Sequence, residues 1–183
     1  MRLISAGFVT VQVIGIALIL PLRMIAAAGP EATLVLTSSA FENGGTIPVR
    51  YTCSGHNTSP PLEWTGVPNR TLSLALILDD PDAPMGTFVH WVVYNLPPAA
   101  NGLIEGVSES ASAVHGEEGV NGRSSRGYTG PCPPPGTPHH YHFRLFALDQ
   151  KLELKPGATA QQVEAATRGH VLGRTELVGI FKR

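Results

Sequence analysis

Six runs of strand-like sequence stand against one helix signature, and that imbalance restricts the fold more than any other feature. Thr33 to Thr37, Ile47 to Thr52, Thr71 to Leu78, Phe88 to Tyr94, His139 to Leu148 and Thr175 to Phe181 are β-branched, aromatic or alternating runs. The helix signature spans Thr159 to Arg168. Thr159 followed by Gln162 forms a capping box, and Gly169 stands where a helix closes in the left-handed conformation. A parallel sheet needs helices over both faces, and one helix cannot supply them. The expected fold is therefore mainly β: an antiparallel Greek-key β-sandwich with one or two short peripheral helices. The 20 glycines and 16 prolines among 183 residues agree, since they mark many turns and few long helices.

Residues 1–28 read as a signal peptide and residues 29–183 as one exported domain. Met1 and Arg2 precede an apolar run from Gly7 to Leu22, and Ala26-Ala27-Ala28 offers the small residues of a cleavage site. The run is interrupted by Gln12 and Pro21 and falls short of the ~20 residues a membrane span requires. The mature chain is thus expected to be periplasmic or secreted, with no integral membrane span. Its 13 basic residues less Arg2 and Arg23 leave 11 against 14 acidic ones, a net charge of -3. Such a surface has no basic field for nucleic acid. In an oxidising compartment Cys53 and Cys132, the chain's two cysteines, are expected to form a disulfide, which would contribute on the order of 4 kcal/mol by closing a long loop. The alternative is two buried free thiols.

Two loops are too particular to be spacers. Asp79 to Gly86 places three carboxylates and two prolines directly before the strand that holds His90. Pro81 and Pro84 stiffen it, as a preformed site requires, although an Asp-rich turn also satisfies its own backbone. The second loop, Gly116 to Gly136, is rich in glycine and proline and delivers the chain to His139. On an extended strand His139 and Tyr141 share one face, and His140 and His142 share the other. His139 and Tyr141, with His90 and Asp80, would form a concave site of imidazole N–H, phenol O–H and an orienting carboxylate, suited to an oxyanion such as phosphate. Protonation of His90 or His139 would then tighten binding as pH falls toward 5.5. His140 and His142 suit an exposed strand face. The chain carries no H-E-x-x-H and no C-x-x-C, so no metal site is expected, and no cofactor.

The segments D-P-D-A-P (Asp80 to Pro84), H-W-V-V-Y-N-L-P (His90 to Pro97), G-Y-T-G-P-C-P-P-P-G (Gly127 to Gly136) and H-H-Y-H-F-R-L-F-A-L-D (His139 to Asp149) resemble the phosphatidylethanolamine-binding protein family. More narrowly, they resemble its bacterial Raf kinase inhibitor-like (YbhB/YbcL-type) branch. Tyr51 to Gly55 and Ser59 to Trp64 are similar to that branch too, and the resemblance runs from about Leu34 to the end. It implies a β-sandwich with a small anion pocket, and ligand-binding roles for Asp80, Pro84, His90, Pro134, His139 and Tyr141, with Gly130 near the rim. It also implies phosphoryl-headgroup or carboxylate ligands, no catalytic residues, and a modulatory protein partner such as a kinase or protease. Two other readings stand beside this one: a protease inhibitor acting through Pro131 to Pro138, and a His/Asp hydrolase, against which G-x-S-x-G and P-loop motifs are both missing.

Overall fold

The computed structural model describes residues 33–109 and 116–183. The expected signal peptide over residues 1–28 lies outside the described residues. Nine strands and one α-helix follow in the order β1 (Val35–Thr37), β2 (Gly45–Thr46), β3 (Leu62–Thr65), β4 (Ser73–Asp80), β5 (Phe88–Leu96), β6 (Gly102–Leu103), β7 (Glu117–Glu118), β8 (His139–Leu148), α1 (Ala160–Thr167) and β9 (Val171–Phe181). They make a three-stranded sheet, β1-β3-β6, and a six-stranded sheet, β2-β9-β8-β4-β5-β7. Every strand pair is antiparallel except β2 with β9.

The two sheets face each other across one core. Leu36, Leu62 and Trp64 of the small sheet pack with Leu74, Leu76, Leu78, Trp91, Val93, Phe143 and Leu145 of the large one. The opposite face of the large sheet is covered in turn. Ala75, Ile77, Val92 and Tyr94 pack there with Leu148 of β8, with Leu152 of the following loop and with Val163 of α1. Strand β4 is the middle of this three-layer arrangement, and all eight of its residues are buried. Its Leu-Ala-Leu-Ile-Leu run is apolar on both faces for that reason.

The helix forms where the capping box placed it. The Thr159 side chain accepts from the Gln162 N–H at 3.2 Å, and Gln162 Oε1 accepts from the Thr159 N–H at 2.9 Å. Gly169 follows with φ +81°, the left-handed conformation expected of it. The run Ile47 to Thr52, expected as a strand, departs from that reading. Only Gly45–Thr46 pairs with β9; Pro48 then leads into a 3-10 turn over Val49–Tyr51, closed by Tyr51 N–H to Pro48 O and Thr52 N–H to Val49 O, both 3.0 Å. Proline has no N–H for a ladder, so the chain turns there.

Cys53 and Cys132 form a disulfide with Cα atoms 5.4 Å apart across 79 positions. It fastens the Pro-rich loop to the segment after the 3-10 turn. Three hydrogen bonds share that seam: Cys53 N–H to Pro131 O (3.1 Å), Gly130 N–H to Asn57 Oδ1 (2.7 Å) and Tyr128 O–H to Tyr51 O (2.5 Å). Gly130 allows the close approach, because a Cβ there would lie 2.6 Å from Tyr51 O. Among the described residues no helix is long and apolar enough to cross a membrane.

Candidate ligand-binding site

The ends of β4, β5 and β8 meet at one edge of the large sheet, and an irregularity in pairing aims their side chains. On β5 Trp91 opposes Leu78 and Val89 opposes Asp79, so His90 is the extra residue of a β-bulge. Bulging turns the His90 ring inward, where it is 3% exposed. On β8 alternate residues are buried, so His139 and Tyr141 point in while His140 and His142 point out. The parity read from the sequence holds.

Asp80 joins these groups. Its Oδ2 accepts from His139 Nδ1 at 2.7 Å, and its Oδ1 accepts from the Asp82 N–H at 2.9 Å, an Asx turn over Pro81. Both readings of the acidic loop therefore apply: the carboxylate caps its own turn and orients an imidazole. Ala83-Pro84-Met85-Gly86 is the next turn, closed by Gly86 N–H to Ala83 O at 3.1 Å, with Pro84 at the position that its fixed φ favours. Met85 at the tip is fully exposed.

These residues line a cavity of about 320 Å³ whose polar floor is Asp80, His90 and His139. Pro84, Met85, Phe88, Pro133 and Pro134 make an apolar rim, and Arg123 and Cys132 complete the wall. Of the expected ligand-binding set, Asp80, Pro84, His90, Pro134 and His139 meet here. Tyr141 and Gly130 do not line the cavity. Tyr141 is fully buried behind it, its ring edge-on to His90 at 5.2 Å. Burial, then the neighbouring Asp80 charge, pushes its hydroxyl pKa above the usual phenol value. Gly130 sits outside the lining because its N–H is committed to Asn57. Pro131, Pro133 and Pro134 have no N–H at all, so this wall is not the array of backbone donors that glycine richness suggests.

The protonation of His90 also differs from expectation. Its Nδ1 lies 2.7 Å from the Thr129 carbonyl, which can only accept, so Nδ1 carries the proton. Burial pushes the ring's pKa down to about 4, against the opposing pull of that hydrogen bond and of Asp80. His90 is therefore neutral at pH 5.5 and adds no positive charge there.

Arg123 escaped the sequence reading. It stands in the second loop, where Asn121 builds a local frame: Asn121 Oδ1 accepts from the Arg123 and Ser125 N–H groups at 2.9 and 3.3 Å, and Nδ2 donates to Gly127 O at 2.9 Å. The Arg123 Nε then donates to Thr129 Oγ1 at 3.2 Å. Arg123 and Arg126 are the two basic residues of Gly116 to Gly136. Arg126 turns away to the Pro156 carbonyl at 3.2 Å, leaving Arg123 for the cavity. A basic residue inside a glycine-rich loop was the available signal. Among the described residues no cluster of His, Cys, Asp and Glu could hold a metal ion.

The chain belongs to the phosphatidylethanolamine-binding protein family, whose sequence model matches residues 37–182. A UPF0098 protein of Methanothermobacter thermautotrophicus is 50% identical over 149 residues, covering 81% of this chain and 98% of that protein. A Mycobacterium tuberculosis protein named as a lipoprotein, LppC, is 41% identical over 150 residues, covering 81% and 72%. Among solved structures, Chlamydia trachomatis CT736, described as a homologue of the same family, superposes with a TM-score of 0.77 at 38% identity, covering 83% of this chain and 99% of that one. Escherichia coli YbcL superposes with a TM-score of 0.77 at 29% identity and the same coverages.

Proposed function

We propose that this chain is an exported binding protein for small phosphoryl or carboxylate anions, the chemistry of a phospholipid headgroup, and that it binds them without turnover. The observation that carries the reading is the cavity itself. A guanidinium (Arg123) and an imidazole oriented by a buried carboxylate (His139 with Asp80) converge in a space of about 320 Å³, large enough for a headgroup and little more. The family's description names a phosphoryl headgroup lipid, and the apolar rim suits the first carbons of such a ligand.

Absence of turnover is supported by how the reactive groups are used. The Cys132 sulfur is held in the disulfide, and the Asp80 oxygens are occupied by His139 and the Asp82 amide. No lining nucleophile has a base beside it. Export is supported by that disulfide and by the lipoprotein name of the mycobacterial relative. Calorimetric titration with inorganic phosphate at pH 6.5 tests the reading. Weak binding is expected, reduced at least tenfold, about 1.4 kcal/mol, in His139→Ala with an unchanged circular dichroism spectrum. Equal binding by the parent, His139→Ala and His90→Ala proteins would reject the pocket.

A further inference from the structure

The pole of the sandwich opposite the cavity carries a basic cleft, although the chain's net charge is -1. Asp80 and His139 stand where β4 ends and β8 begins; at the other end of these strands the Pro68 to Thr71 turn leads into β4, and Arg174 lies near the start of β9. Arg174 pairs with Phe146 and Phe181 with His139, so seven residues of β9, roughly 23 Å, separate the two poles. Two glycines bring the backbone together here. A Cβ on Gly173 would lie 2.9 Å from Pro68 Cγ, and one on Gly66 would lie 2.0 Å from the Thr33 carbonyl oxygen. The resulting cleft of about 380 Å³ is lined by Arg70 and Arg174 and by no acidic residue.

These two arginines are left over from the domain's own ion pairs. Arg50 is paired with Glu105, and Arg144 with Asp79 and Glu164, whereas neither Arg70 nor Arg174 meets a carboxylate among the described residues. Glu176, the acidic residue on the same strand face as Arg174, is given to His142 at 2.9 Å, and Asp149 to His170 at 2.9 Å. Arg70 is held at φ +70°, where glycine or asparagine would cost less, so the turn keeps a cation at the expense of its backbone. Aliphatic side chains stand exposed at this pole. Leu72, whose N–H donates to Leu148 O, and Val171, which pairs with Leu148, are 54% and 41% exposed. Cations beside exposed aliphatic groups suit the interface of an anionic bilayer. Thr33 and Leu34 line the same cleft, so the apolar run from Gly7 to Leu22 joins the domain at this pole, with ten residues between. We propose that this pole docks on an anionic phospholipid surface, Arg70 and Arg174 on the lipid phosphates and Leu72 and Val171 among the headgroups, with the Asp80 cavity left open to solvent at the far end. A precursor held in the membrane by its apolar run meets the lipid with this pole, and the docking does not depend on what the cavity binds.

Vesicle co-sedimentation of the mature chain, recovered from the exported fraction, tests this at low salt. A basic residue at an anionic surface strengthens binding about fivefold, so two arginines should give vesicles of mixed phosphatidylglycerol and phosphatidylcholine a preference of about thirtyfold over phosphatidylcholine alone. That preference should shrink as salt is raised, and fall to about threefold or less in Arg70→Gln with Arg174→Gln at an unchanged circular dichroism spectrum. His139→Ala should leave it intact, so a failure here and a failure of the cavity are read separately. Fluorescence locates the face that docks. Trp64 and Trp91 are 2% and 1% exposed, so a tryptophan introduced at Val171 or at Met85 is the one that meets solvent. Emission of Val171→Trp should shift to the blue on anionic vesicles, and emission of Met85→Trp should not. Equal binding to the two kinds of vesicle, a preference untouched by the double glutamine substitution, or a blue shift for Met85→Trp without one for Val171→Trp would each overturn the proposal. So would binding of polyglutamate through the two arginines by a protein that ignores anionic vesicles, which would assign the cleft to an acidic polypeptide.

Discussion

Two aspartate–histidine pairs lie side by side where β4 runs out and β8 begins. His139 meets Asp80 and His140 meets Asp82, each through Nδ1 at 2.7 Å. The first pair's side chains are 6% and 5% exposed, the second pair's 49% and 42%. Identical chemistry at identical distance thus has two different meanings. In water the outer pair is screened and its worth is small, although the hydrogen bonds from His140 do hold the Asp82 carboxyl below its ordinary pKa. The inner pair has lost its water, so removing either partner strands the other, and the geometry it fixes is the floor of the cavity. Burial, set by strand parity, separates the floor of the cavity from a solvated surface one residue away.

The largest effect should come from the covalent tie on the inner side. Replacing both cysteines, Cys53→Ser with Cys132→Ser, is expected to lower unfolding free energy by on the order of 4 kcal/mol in urea titrations. A loss below about 1 kcal/mol would show that the hydrogen bonds of the seam suffice. Next comes Asp80→Asn, expected to cost about 3 kcal/mol of stability and at least tenfold in phosphate affinity. His90 follows, through pH. The unfolded chain protonates this ring near 6.5 and the folded protein only near 4, so its contribution is complete above pH 6.5 and is lost as pH falls to 4. That loss is about 3 kcal/mol, and His90→Gln should flatten this part of the pH–stability profile. The smallest effect belongs to the outer pair. Asp82→Asn should change stability by less than about 1 kcal/mol and phosphate affinity by less than twofold. An Asp82→Asn protein as damaged as Asp80→Asn would erase the distinction between the two faces.

Much of this was legible because the signals were local. The strand over His139 to Leu148 and the capping box at Thr159 depend on neighbours within a few residues, and both form where the pattern puts them. Alternation along that strand sorted its histidines for the same reason. The Ile47 to Thr52 run misled because its β-branched residues outvoted Pro48, which ends the pairing. Arg123 and the bulge at His90 were invisible on other grounds. Where the guanidinium goes is decided by Asn121 and Thr129, and the bulge exists only as a mismatch between two strands, which no single strand records. Nor could the charge state of His90 be read from its own segment, since Thr129, 39 positions away, fixes the tautomer.

The buried middle strand has a consequence in time. Strand β4 is hydrogen-bonded along both edges, to β5 and β8, and covered on both faces, so its amides should exchange with solvent only when the whole domain unfolds. Asp80 is the last residue of that strand, whereas Met85 stands five positions on, fully exposed on a turn held by one backbone hydrogen bond. Amide exchange at Asp80 is therefore expected to be slow and at Met85 fast, so that the floor of the cavity outlasts its rim.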